Sequence, residues 1–123
     1  MKYVILVQSN PRTLEIWETL SEQQRFDFGV GHLKLTEQLR EAGVLVASEG
    51  LADPQLATQV SVRDGRTITS DGPYPEVKEH LAGFYLIDCA SRDEAIGWAA
   101  QVPDAGYTQV EVRPVLDLSE WDI

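Results

Sequence analysis

This chain of 123 residues has little of what builds disulfides, metal centres or membrane spans. Cys89 is its single cysteine, which rules out an intramolecular disulfide and a cysteine-based zinc framework. A lone thiol in a strand-like run behaves as a small hydrophobe. The two histidines, His32 and His80, are too few and too scattered to mark a metal site, although carboxylates could complete one. Neither a metal nor a cofactor is expected. Basic residues are scarce, with 10 Lys and Arg against 20 Asp and Glu, a formal charge of −10. Such a surface repels phosphate backbones and anionic lipid, which argues against nucleic acid or membrane as a direct partner. No run approaches the ~20 apolar residues that a membrane span requires. The apolar start at Tyr3-Val4-Ile5-Leu6-Val7 meets Gln8-Ser9-Asn10-Pro11 too soon for a signal peptide, so the expected location is the cytoplasm. Also missing are a Gly-x-Gly-x-x-Gly turn, a Walker loop, a His-x-x-x-His pair and a serine nucleophile elbow.

What is present reads as one domain over residues 1–123, with 43% hydrophobic content, enough for an ordinary core. Residues 3–8 form a continuous apolar run and read as a strand, ended by Asn10-Pro11. Ser21 and Gln24 make a capping box that opens a helix from about Glu22 to Ala42, with Gly43 as its terminator. Gly29 and Gly31 weaken the middle of that helix and mark a bend or a tight packing contact. A second strand covers 44–51. Two β-prone runs, 57–62 and 66–70, flank Asp64-Gly65 and read as a hairpin. Another strand covers 83–89. A helix capped by Ser91 follows, with Ala95, Trp98, Ala99 and Val102 on one face and Pro103 at its end. The last strand spans 108–113.

The order β-α-β, hairpin, β-α-β predicts an α+β fold. The frame is a ferredoxin-like plait, a split βαβ repeat with an antiparallel sheet, and the hairpin is an insertion. Both helices then cover one sheet face. The other face would stay bare and apolar, so a homodimer packed sheet to sheet is expected.

The turn Asp71-Gly72-Pro73-Tyr74 carries specific chemistry. Gly72 can take positive φ, Pro73 fixes its own φ, and the Asp71 carboxylate can bond nearby amides. An acidic side chain is thereby held at a rigid loop edge, although Asp before Gly-Pro is a good turn former in any protein. His32 falls at the edge of the helical stripe formed by Phe28, Leu35, Leu39 and Ala42. A core histidine with satisfied nitrogens and a general acid or base are both open readings there. Glu49 is a carboxylate on the strand face shared with Leu45, Ala47 and Leu51, unusual unless paired. Lys78 and His80 lie in a charged loop at 75–82 that could act as a lid. Phe84 and Tyr85 read as sheet packing.

The run 31–45, Gly-His-Leu-Lys-Leu-Thr-Glu-Gln-Leu-Arg-Glu-Ala-Gly-Val-Leu, and the Asp71-Gly72-Pro73 turn resemble the YCII-related family, whose larger branch is named DGPF. Tyr74 stands where the branch name has Phe. The resemblance covers nearly the whole chain and is strongest over 31–51, 64–88 and 109–115. It implies an active site in which a helix histidine, here His32, pairs with a loop aspartate, here Asp71. Glu49, Gly72, Pro73, Tyr74 and Lys78 would line the ligand site. The family includes a group linked to dehydrochlorination of a hydroxylated aromatic, which implies cofactor-independent, lyase-like acid/base chemistry on a small molecule. The alternative is a non-catalytic binding or regulatory module, because DGPF proteins are often encoded beside sigma factors of the extracytoplasmic-function group. A sigma factor would then be the partner.

Overall fold

A computed structural model describes residues 1–121. Its elements are β1 (Lys2–Ser9), α1 (Pro11–Thr19), α2 (Glu22–Glu41), β2 (Leu45–Gly50), β3 (Thr58–Arg63), β4 (Arg66–Asp71), β5 (His80–Asp88), α3 (Arg92–Ala99) and β6 (Glu111–Pro114). Four strands form one antiparallel sheet in the order β2-β5-β1-β6. That arrangement is consistent with a ferredoxin-like plait. Among the described residues, strands β3 and β4 pair only with each other, in a separate two-stranded sheet that falls between β2 and β5 in chain order.

Local sequence accounts for the long helix. Ser21 accepts from Gln24 N, and the Gln24 side chain accepts from Ser21 N, so two otherwise unpaired amides are satisfied at the start. At the end, Gly43 takes φ 73° and the chain closes with Val44 N to Leu39 O and Gly43 N to Arg40 O. These are the two bonds of a Schellman turn. Of the stripe read from sequence, Leu35 and Leu39 are buried and Phe28 is half-buried, while Ala42 is the exposed C-cap.

The sequence reading missed one helix. Asn10-Pro11 does end β1, but it also starts α1. The Asn10 side chain accepts from Thr13 N at 3.0 Å, its backbone N–H donates to Thr13 Oγ1 at 2.9 Å, and Pro11 sits in the first turn. Arg25 ties the end of α1 to α2 by donating to Trp17 O and lying 5.2 Å from the Trp17 ring centre. The last strand is shorter than read and starts later, at Glu111, ending at Pro114. Strand β5 is longer than read and begins at His80.

Alternation sorts the sheet into two faces. Tyr3, Ile5 and Val7 of β1 and Tyr85 and Ile87 of β5 are buried with Leu35, Leu39, Ala95, Ala99 and Val102 in one core. Fully burying a side chain such as Ile5, Leu39 or Ile87 is worth about 1.5–3 kcal/mol. Val4, Leu6, Phe84 and Leu86 point to the other face and are half-buried.

A candidate acid/base site at the margin of helix and sheet

Three elements converge on His32. Helix α2 presents its imidazole between Phe28, one turn before, and Thr36, one turn after, whose hydroxyl donates to His32 O at 2.9 Å. The central strand β5 brings up Tyr85, whose Oη lies 2.5 Å from His32 Nδ1. The turn after α3 brings up Asp104, whose Oδ1 lies 2.8 Å from His32 Nε2. The His32 and Tyr85 rings are nearly parallel, at 4°, with centres 5.9 Å apart. Phe28 meets His32 edge-on at 5.1 Å.

The placement of Asp104 has an identifiable cause. Pro103 stops the helical run and begins a 3-10 turn, Pro103–Gly106. Asp104 O accepts from the amides of Tyr107 and Thr108, which holds the turn closed. Pro103 leans on Gly31, the residue before His32: a Cβ there would meet Pro103 Cγ at 2.8 Å. The tight contact expected at the paired glycines is therefore made by Gly31, whereas a Cβ on Gly29 would meet nothing within 4 Å.

Side chains of His32 and Asp104 are only 27% and 18% exposed, so solvent competes weakly for their bond. Tyr85 is 5% exposed. Burial raises its hydroxyl pKa above the ordinary 10.0, and the Asp104 charge adds to the rise against a lowering contribution from Thr36. Tyr85 is therefore a neutral hydroxyl throughout the physiological range.

His32, Tyr85 and Asp104 border a cavity of about 360 Å³, together with Phe28, Thr36, Ser48 and Phe84. Phe28, Ala82 and Asp104 also border a smaller apolar cavity of about 250 Å³, lined by Trp17, Leu14 and Ile16 of α1 and by Tyr107. Asp104 thus belongs to both spaces.

The residues expected from sequence are distributed differently. The carboxylate at the imidazole belongs to Asp104, not Asp71. Asp71 ends β4 opposite Thr58, exposed on the two-stranded sheet. Gly72 does take positive φ, 81°, and donates to Ala57 O at 2.7 Å, which closes the hairpin rather than the His32 cavity. Pro73 borders a separate cavity with His80 and Leu51. Tyr74 is exposed, and Lys78 donates to Pro75 O at 3.4 Å beside another surface hollow. Glu49 does border the His32 cavity, but it is exposed. A bulge between Leu45 and Ala47 takes Leu45 off the face that Glu49 keeps with Ala47, and sets Glu49 opposite Phe84 and Ser48 opposite Tyr85. Among the described residues, no three His, Cys, Asp and Glu side chains gather as a metal ligand set.

Asp104 and Tyr85 were the residues that sequence reasoning passed over. The alternation of Tyr85 with Ile87 marks it as inward-facing, but nothing local says that its hydroxyl meets a histidine 53 positions away. For Asp104 the only local signal is its place after a helix-ending proline.

A family model described as "YCII-related domain" matches residues 1–119. The chain belongs to the YCII-related family. An uncharacterised protein of Rhizobium meliloti (strain 1021) is 34% identical to this YCII-related chain over 118 residues, covering 94% of this chain and 92% of the relative. Among solved structures, the protein is similar to 5-chloro-2-hydroxyhydroquinone dehydrochlorinase (TftG) from Burkholderia phenoliruptrix AC1100, in complex with 2,5-dihydroxybenzoquinone. The TM-score is 0.54 at 15% identity, with 98% of each chain covered, so the two share a fold. No helix among the described residues is long and apolar enough to cross a membrane.

Proposed function

We propose that this YCII-related protein is a cofactor-independent enzyme that moves a proton on a small molecule bound beside His32, with Asp104 as the carboxylate partner of the imidazole. One observation carries the reading. A histidine is held by two side chains from distant elements at the wall of a cavity large enough for a single-ring metabolite. A core histidine needs satisfied nitrogens, but it does not need a cavity beside them. The carboxylate fixes the imidazole's orientation and offsets the charge of the imidazolium once a proton arrives. The structural neighbour supports the reading at the level of reaction type, since a dehydrochlorinase removes the elements of HCl and so needs a proton acceptor. The apolar walls, Phe28 and Val7, suit a flat, largely apolar substrate body.

The protein acts as a homodimer on this reading. The outer sheet face carries Val4, Leu6, Phe84 and Leu86, and a second copy is an economical cover for it. The cytoplasm is the proposed location.

Turnover of 5-chloro-2-hydroxyhydroquinone and related hydroxylated aromatics by wild type and His32→Ala tests the proposal. Loss of about 10²–10⁴-fold in kcat with an unchanged unfolding midpoint supports it. Equal turnover by the two proteins rejects it and leaves a binding module as the reading.

A further inference from the structure

The geometry points to Tyr85, not His32, as the group that exchanges the proton with the substrate, with His32 and Asp104 behind it as a relay. This rests on the acid/base reading above and specifies which atom of the site does the work.

Hydrogen-bond inventory leads there. An ionised carboxylate can only accept, so the 2.8 Å contact with Asp104 requires the proton on His32 Nε2. A neutral imidazole then has an unprotonated Nδ1, and the Tyr85 hydroxyl, 2.5 Å away, donates to it. Both ring nitrogens are occupied. His32 has no lone pair and no proton left to offer a substrate without breaking one of these bonds. Tyr85 Oη still has lone-pair capacity, and both Tyr85 and the half-buried Thr36 border the cavity.

The step balances without any further reactant. The substrate's acidic X–H bond breaks and its proton bonds to Tyr85 Oη, while the bonding electron pair stays on the substrate. In the same motion the original Tyr85 proton passes to His32 Nδ1. Tyr85 ends neutral, His32 ends as imidazolium, and Asp104 faces the new charge across Nε2–H. Run backwards, the relay delivers a proton through the same hydroxyl. Because Tyr85 starts and finishes as a neutral phenol, its burial among apolar groups is not an obstacle to the chemistry. A free phenolate there would be. The substrate class that fits is a carbon or oxygen acid of modest strength, such as a hydroxylated ring, whose proton reaches the cavity wall on the β5 side.

Two measurements decide the matter. In ¹⁵N-histidine-labelled protein at neutral pH, with no ligand added, His32 is expected as the Nε2–H tautomer with Nδ1 a hydrogen-bond acceptor. Tyr85→Phe should leave Nε2 protonated and shift Nδ1 to the free-acceptor position. A proton on Nδ1 in the wild type, or an Nδ1 signal indifferent to Tyr85→Phe, overturns the relay whether or not a substrate is known. The second readout is turnover of 5-chloro-2-hydroxyhydroquinone, or of whichever hydroxylated aromatic the wild type converts. Tyr85→Phe is expected to lower kcat by about 10²–10⁴-fold with KM changed only a few-fold. A kcat within a few-fold of wild type, or an effect confined to KM, makes Tyr85 a positioning residue and His32 the group that touches the substrate. His32→Ala separates the two failures: unchanged turnover there sinks the acid/base reading itself, while the tautomer result stands on its own.

Discussion

Gly31 and Pro103 pack so closely that a methyl group on Gly31 would sit 2.8 Å from Pro103 Cγ, and each residue immediately precedes one member of the His32–Asp104 pair. The contact is a spacer that sets the separation of α2 from the turn carrying the carboxylate. Proline is a stiff partner, because its ring can pucker but cannot swing away. Gly31 therefore links packing directly to the chemistry of its neighbour.

Gly31→Ala tests that link. Alanine favours the helix by up to ~1 kcal/mol over glycine, yet overpacking costs typically ~1–3 kcal/mol. We expect a net loss of roughly 1–2 kcal/mol by urea unfolding, together with a weakened His32–Asp104 bond visible in the His32 ring ¹⁵N signals. Adding Pro103→Ala should recover much of both losses, giving a non-additive cycle. Additive effects would show that the two residues do not set the spacing.

Asp104 and Asp71 can be told apart by one pair of variants. Asp104→Asn replaces an obligate acceptor with a group that can also donate, so it releases the His32 tautomer, and turnover should fall about 10²-fold or more. Asp71→Asn lies on the exposed end of β4 and should leave the His32 signals and turnover near wild type. The reverse pattern would restore the pairing that the Asp-Gly-Pro turn invited.

That invitation shows where sequence reasoning stopped. Capping chemistry is local, so Ser21-Gln24, Gly43 and Ser91 marked helix ends that the structure keeps. The Asp64-Gly65 hairpin was equally legible, since both residues take positive φ in the turn. His32 stood out because a helical stripe is periodic. Its partners did not, because Tyr85 and Asp104 are 53 and 72 positions away and only the packing of three elements brings them together. Helix α1 was lost for a different reason. Asn-Pro signals both the end of one element and the start of the next. That helix lines the second cavity, so missing it hid the space on which Asp104 also borders.

Tyr85 also has a consequence for alkaline stability. Burial raises its folded-state pKa above the 10.0 of an exposed tyrosine. Below about pH 10 both folded and unfolded chains keep the proton, and this group adds no pH dependence. Above it the unfolded chain loses the proton first, so stability falls as pH rises toward the folded-state value. Urea midpoints from pH 8 to 11 should therefore decline more steeply for wild type than for Tyr85→Phe. At neutral pH the variant should be less stable by about 1 kcal/mol for the lost hydrogen bond. Parallel curves would mean that Tyr85 ionises as readily in the fold as outside it.

The dimer expectation depends on which apolar surface a second copy covers. Leu86 pairs with Val4 across the main sheet, on the face away from the helices. The hairpin offers a rival patch, with Val60 and Val62 on one face, 64% and 67% exposed. A sheet-to-sheet dimer buries the first set, so Leu86→Glu would place an unpaired carboxylate inside the interface, and a buried charge without a partner is too costly to keep there. Light scattering at micromolar concentration should then show monomer for Leu86→Glu and dimer for Val62→Glu, with both variants folded by circular dichroism. Because Phe84 and Tyr85 are adjacent on β5 and face opposite ways, dimer contacts on one side of the strand would steady the hydroxyl on the other. If Val62→Glu dissociates the protein and Leu86→Glu does not, the hairpin is the interface and the outer sheet face must be covered from within the chain.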